Sequence, residues 1–132
     1  MIVLSINAYG QNRDLNTFEA SVVKVYDGDT FTALVKVPNF RNTYSDFSTK
    51  KVKVRLHACD TYELMSQNSY DRYLAIKARE YTKRLLGEGV FNLRYVDKDR
   101  YKRLVCEVIF KDGSSLKEIL RDADLLTGKY EN

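Results

Sequence analysis

Three short clusters in the chain carry groups able to work on a phosphodiester. The first is Asp27-Gly28-Asp29-Thr30. The second is Arg55 followed by Asp60, Thr61 and Glu63. The third is Asp99-Arg100-Tyr101-Lys102-Arg103. Taken singly, each has a plain structural explanation: a hairpin turn, a polar loop after a strand, and a solvated hairpin tip. Taken together they fit a reaction. Cleaving a phosphodiester needs positive charge against the phosphate, an activated water, and fixed charge where negative charge develops. Hard cations take oxygen ligands, and Asp29, Asp60 and the Thr61 carbonyl can supply them. Glu63 can act on the water. Arg55 and Arg103 can each bind phosphate oxygens through two parallel N–H bonds. No histidine or cysteine nucleophile is needed.

These groups must be positioned by elements that the residue patterns predict. Phe18 to Tyr26 is β-branched and alternating, and reads as a strand. Asp27-Gly28 signals a tight hairpin, with Thr30 to Val37 returning until Pro38 ends the strand. Asn39 to Lys50 is expected to be a loop. Lys51 to Cys59 reads as a third strand with Val52, Val54, Leu56 and Ala58 on one face. Arg55 and Asp60 would fall on opposite faces of a regular strand, so the site demands a turn or bulge near Cys59.

A helix is predicted from Leu74, Ala78, Tyr81 and Leu85, widened by Ala75, Thr82 and Leu86. Asn68 or Ser69 caps its start and Gly87 and Gly89 stop it. Val90–Val96 and Leu104–Phe110 are two more strands, joined by the charged turn Asp97-Lys98-Asp99-Arg100. Ser115 and Glu118 form a capping box for a short helix. The order β-β-β-α-β-β-α describes an α+β, mainly β chain, and it is the order of the five-stranded OB-fold barrel. The expected division is an irregular segment over 1–17, one folded domain over 18–126, and a loose tail over 127–132.

Composition bounds the partners. The chain has 132 residues and a net charge of +4, which suits one domain. Residues 68–103 hold 10 basic and 5 acidic groups, and such clusters favour polyanions. No apolar run is long enough to span a bilayer, and the start lacks the basic and apolar regions of a signal peptide. A cytoplasmic monomer with no membrane or protein partner is expected. Cys59 and Cys106 read as buried thiols in a reducing compartment, and His57 as a strand residue packed between neighbours.

The combination resembles the staphylococcal nuclease (thermonuclease) family. The matching pieces are Val25-Tyr26-Asp27-Gly28-Asp29-Thr30, Val54-Arg55-Leu56 running to Asp60-Thr61-Tyr62-Glu63, the helix Ala78-Arg79-Glu80-Tyr81-Thr82-Lys83, Asp99 to Arg103, and Leu116-Lys117-Glu118-Ile119-Leu120. The resemblance implies an OB-fold enzyme that hydrolyses DNA and RNA with Ca²⁺, leaving 3′-phosphate and 5′-hydroxyl ends. It implies Asp29, Asp60 and the Thr61 carbonyl as calcium ligands, and Glu63 as general base or orienter of the attacking water. Arg55 and Arg103 would hold phosphate and stabilise the transition state, and Arg100, Tyr101 and Tyr130 would contact substrate. Two departures stand out: Tyr62 replaces the family's usual proline, and Lys102 its usual glycine. The rival reading is a non-catalytic OB-type module that binds single-stranded nucleic acid through basic and tyrosine side chains.

Overall fold

The computed structural model describes residues 16–38 and 47–128. Seven elements follow in order: β1 (Thr17–Asp27), β2 (Thr30–Pro38), β3 (Phe47–Leu56), α1 (Ser69–Leu86), β4 (Phe91–Lys98), β5 (Leu104–Ile109) and α2 (Leu116–Asp122). The strands close into a barrel in the order β1-β2-β3-β5-β4, the expected OB-like α+β architecture. All neighbours are antiparallel except β3 and β5, whose parallel pairing sets Arg55 beside Val105. Segments 1–15, 39–46 and 129–132, which include most of the expected 39–50 loop and Tyr130, lie outside the described residues.

β1 carries apolar residues on both parities, and two irregularities explain why. The β1–β2 register shifts between Val22 and Lys24 and again between Val25 and Asp27. Each shift adds a residue to β1, so Val22 and Val25 pack on the core while Val23 and Tyr26 stay exposed. The interior is filled by Phe31, Val54, Leu93, Cys106 and Val108. Phe31 meets Phe91 edge-on, with ring centroids 6.0 Å apart. Both cysteines are free and buried, and burial pushes their thiols up to about 12.

Several boundaries differ from the sequence reading. β3 begins at Phe47, because β2 and β3 pair without interruption from Pro38↔Phe47 to Thr30↔Arg55. The segment expected to extend the hairpin as a loop thus does so as paired strand over Phe47–Lys50. β3 stops at Leu56 instead of Cys59. The His57 N–H donates to the Cys106 carbonyl at 2.9 Å, and Ala58 then takes φ +48°. His57 is exposed in this turn, not packed inside a strand. β4 and β5 pair as far as Lys98↔Leu104, which moves their connection to Asp99–Arg103.

Helix α1 starts where Asn68 accepts from the N–H groups of Tyr70 and Asp71. It buries Ala75, Ala78, Thr82 and Leu86, a stripe spaced by three and four residues. Leu74, Tyr81 and Leu85 flank that stripe. Ala78 at its centre lets the helix approach the β1–β2 turn closely. α2 begins with the full Ser115–Glu118 capping box and buries Leu116 and Leu120.

Candidate active site

The β1–β2 connection is the two-residue turn Gly28-Asp29, since Asp27 pairs with Thr30. Gly28 is not among the glycines with positive φ; its need is space. A Cβ there would lie 2.8 Å from both Ala78 Cβ and Thr61 Cγ2. The Gly28 carbonyl accepts from the buried Thr82 hydroxyl at 2.8 Å. The turn is thus pressed against α1 and fixed to it, and this presents Asp29.

Asp29 is 5% exposed and both of its carboxylate oxygens have partners. Oδ1 accepts from the Thr30 hydroxyl at 2.9 Å. Oδ2 accepts from the Thr61 N–H at 2.9 Å and meets Arg55 Nη1 at 3.0 Å. The Arg55 guanidinium also donates from Nη1 to the Cys59 carbonyl at 2.6 Å and from Nη2 to Asp60 Oδ1 at 3.1 Å. The turn at His57–Ala58 makes this reach feasible: it folds Asp60 back onto the side of the sheet that carries Arg55. The bend that the Arg55–Asp60 spacing demanded is present, one to two residues before Cys59.

Asp60 and Thr61 are tied down from behind. Thr61 forms a β-bridge with Leu126, and the Thr127 N–H donates to the Asp60 carbonyl at 2.9 Å. Thr127 is therefore part of the site's support rather than of a loose tail.

Asp27 was read from the sequence only as a turn residue. Its Oδ1 accepts from the Asp29 N–H at 3.2 Å. Burial, and then the Asp29 carboxylate beside it, push the Asp27 carboxyl up to about 7. The Asp-x-Asp spacing across a two-residue turn was the available signal. Thr82 was also missed, because its place in an apolar stripe hid the role of its hydroxyl.

Glu63 stands apart from the Arg55 network. It is exposed and lines an open cavity of about 410 Å³ with Tyr62, Met65, Ser66, Asp71 and Thr127. The Ser66 N–H donates to its carbonyl at 3.2 Å, so the loop keeps a turn without proline at position 62.

Arg103 belongs to a second group. Its Nε donates to Asp99 Oδ2 at 2.7 Å, and its N–H to Asp99 Oδ1 at 2.9 Å. Tyr101 N–H also reaches Asp99 Oδ1, at 2.9 Å. Partial burial would raise the Asp99 carboxyl, but these bonds outweigh it and hold it below the usual range. The exposed Tyr101 ring lies 5.2 Å from the Arg100 guanidinium and 5.5 Å from that of Arg103. Lys102 takes φ +65°, the left-handed conformation that glycine adopts freely. The tight turn survives the substitution, with lysine bearing the strain. Among the described residues no hydrogen bond or ion pair joins this group to Arg55. The parallel β3–β5 register nevertheless places the start of β5 beside Val54 and Arg55.

This barrel, with paired carboxylates and an arginine at the end of its first three strands, defines a class. The family model for staphylococcal nuclease homologues matches residues 53–123, more than half of the chain, and the chain belongs to that family. The match spans Arg55, Asp60, Thr61, Glu63, Arg100, Tyr101 and Arg103. Asp29 precedes it and is joined to it through Thr61 and Arg55. Family membership gives the chain a nuclease-type or nucleic-acid-binding role. Among curated proteins no relative matches the chain. No helix among the described residues is long and apolar enough to cross a membrane.

Proposed function

We propose that the protein is a calcium-dependent nuclease that hydrolyses phosphodiester bonds of DNA, RNA or both. The observation that carries this reading is Arg55, held at one place by Asp29, Asp60 and the Cys59 carbonyl. Two of its five N–H donors are used on the Cys59 carbonyl and Asp60, and Asp29 Oδ2 adds an ion contact at 3.0 Å. The remainder are free to take phosphate oxygens in a geometry set before substrate arrives.

The donor set suits a hard cation. Among the described residues no three His, Cys, Asp or Glu side chains form a closed metal cage. The available set is instead two carboxylates, Asp29 and Asp60, and the Thr61 carbonyl. An open oxygen set of this kind fits Ca²⁺, which accepts 6–8 oxygens in loose geometry with water and phosphate completing the shell. When bound, the cation would neutralise charge on the phosphate and stabilise what develops in the transition state.

The chain's own residues carry the rest. Glu63 takes a proton from water as its oxygen bonds to phosphorus. The bond from phosphorus to the 5′ oxygen breaks, and that oxygen leaves to be protonated as a 5′-hydroxyl, with the phosphate left at the 3′ side. Arg55 and Arg103 hold the phosphoryl oxygens, and Arg100 and Tyr101 hold the flanking strand. Tyr130 keeps the substrate role implied by the family resemblance. The test is Glu63→Gln in single-turnover cleavage with saturating enzyme and calcium. The rate should fall by roughly two to four orders of magnitude with substrate affinity little changed. An unchanged rate would remove Glu63 from the reaction. A parent protein that binds nucleic acid and never cleaves it would be a binding module.

A further inference from the structure

A second basic surface lies outside the 68–103 segment. On β3, Lys51, Lys53 and Arg55 alternate with the core-facing Val52, Val54 and Leu56. The three cationic residues therefore share the outer face, about 6.8 Å apart along the strand. The β-ladder extends the row sideways: Lys53 pairs with Thr32, and Thr32 with Lys24. The two irregularities in β1 turn Val23 and Tyr26 out beside Lys24, and Val23 is 46% and Tyr26 42% exposed. Val23, Lys24, Tyr26, Thr32, Lys51 and Lys53 line a groove of about 300 Å³ together with Val52. Among the described residues no carboxylate lines it.

Within the groove Lys24 Nζ sits 5.2 Å from the Tyr26 ring centroid. The Thr32 hydroxyl approaches the Tyr26 hydroxyl at 3.5 Å. The bond from Thr32, and then the charges of Lys24, Lys53 and Lys51, hold the Tyr26 phenol below its usual range. Among the described residues no carboxylate pairs with these lysines, and one half-exposed aromatic ring lies beside them. That is the composition of a single-strand track: cations follow the phosphates and rings stack on bases. The lysine interval is near the spacing of successive phosphates in an extended strand. A duplex is the poorer fit, because its bases are already stacked and have no face to offer Tyr26.

We propose that the outer face of β1–β3 binds the sugar-phosphate backbone of a single strand through Lys24, Lys51 and Lys53, with Tyr26 stacking a base, and that this track leads the strand to Arg55. Only its direction toward Arg55 rests on the nuclease reading.

The test is anisotropy binding of a labelled oligothymidylate of about 20 nucleotides, with excess chelator so that binding is read without cleavage. The Lys24→Ala/Lys51→Ala/Lys53→Ala variant should bind roughly tenfold or more weakly at low salt. Its salt dependence should flatten by about 2 in the log–log slope, at ~0.7 per lost phosphate contact on a single strand. Tyr26→Leu should weaken binding roughly tenfold with the slope unchanged. Turnover of a dinucleotide, too short to reach the track, should match the parent in both variants. Parent-like affinity and slope in the triple variant would overturn the track, and so would loss of dinucleotide turnover or tighter binding of duplex than of single strand. A parent that cleaves while the triple variant binds normally leaves the nuclease reading standing without the track. A parent that never cleaves, but loses binding in the variant, leaves the track without the nuclease.

Discussion

Thr82→Val tests how the Asp29 turn is held. Thr82 is fully buried on α1, and its hydroxyl donates to the Gly28 carbonyl, 54 residues away, at 2.8 Å. Valine has nearly the same shape, so the change opens no cavity. What it removes is the donor, leaving a carbonyl behind Gly28 that water cannot readily reach. An unmade bond of this kind costs about 1–3 kcal/mol. At the middle of that range the melting temperature should drop by about 8 °C, at ~4 °C per kcal/mol for a domain of this size. The cost should also reach the chemistry, because Gly28 is adjacent to Asp29 and misplacement near an ångström is expensive in catalysis. The assay is urea unfolding followed by circular dichroism, together with single-turnover cleavage. Thr82→Ser gives the necessary contrast. It loses a buried methyl, worth about 0.8 kcal/mol, but keeps the donor, so its cleavage rate should stay near the parent's while that of Thr82→Val falls. A Thr82→Val protein with parental stability and parental rate would show that this hydrogen bond does not hold the turn.

Two further changes probe strain and charge. Lys102 occupies the left-handed region at φ +65°, so Lys102→Gly should stabilise the fold by about 1 kcal/mol; a loss of stability in the same unfolding assay would contradict that assignment of strain. Asp27 is held above its ordinary range, with a carboxyl at about 7. The folded state therefore keeps a proton that the unfolded chain releases near pH 4, and stability from this group is full below pH 4 and lost as pH rises to about 7. In chelator, Asp27→Asn should be more stable than the parent at pH 8, by about 1–2 kcal/mol after allowance for solvent screening. The gain should vanish near pH 4, and an equal effect at both pH values would rule out charge crowding.

Much of this molecule was legible in its sequence, and the reasons are local. Asn68, Ser115 and Glu118 cap helices through bonds to their nearest neighbours, so residue type and spacing suffice. The β3 face of Val52, Val54 and Leu56 follows from strict alternation. The misses are cases where distant residues decide. Lys51 marks the start of β3 in the sequence pattern, because Ser48-Thr49-Lys50 is polar without alternation; only the pairing with β2 makes Phe47–Lys50 a strand. Val22 and Val23 cannot both point inward, and which one yields is set by the register against Ala33 and Thr32. Gly28 looked like a glycine of turn conformation but serves close approach to Ala78. In the site, the grouping of Asp29, Arg55, Asp60 and Thr61 was read from residue types and family resemblance. The means of bringing them together, a left-handed Ala58 and a threonine on α1, left no mark in local pattern.

The central claim is cleavage through the cluster around Arg55 with calcium. The most direct measurement is single-turnover hydrolysis of single-stranded DNA and of RNA by the parent protein and by Asp29→Ala, each in calcium and in excess chelator. The parent should cleave in calcium, leaving 3′-phosphate and 5′-hydroxyl ends. Cleavage should be slight in chelator, and Asp29→Ala should show a large loss that high calcium partly recovers. Equal cleavage in chelator, or a parent that binds both substrates and cleaves neither, would contradict the claim.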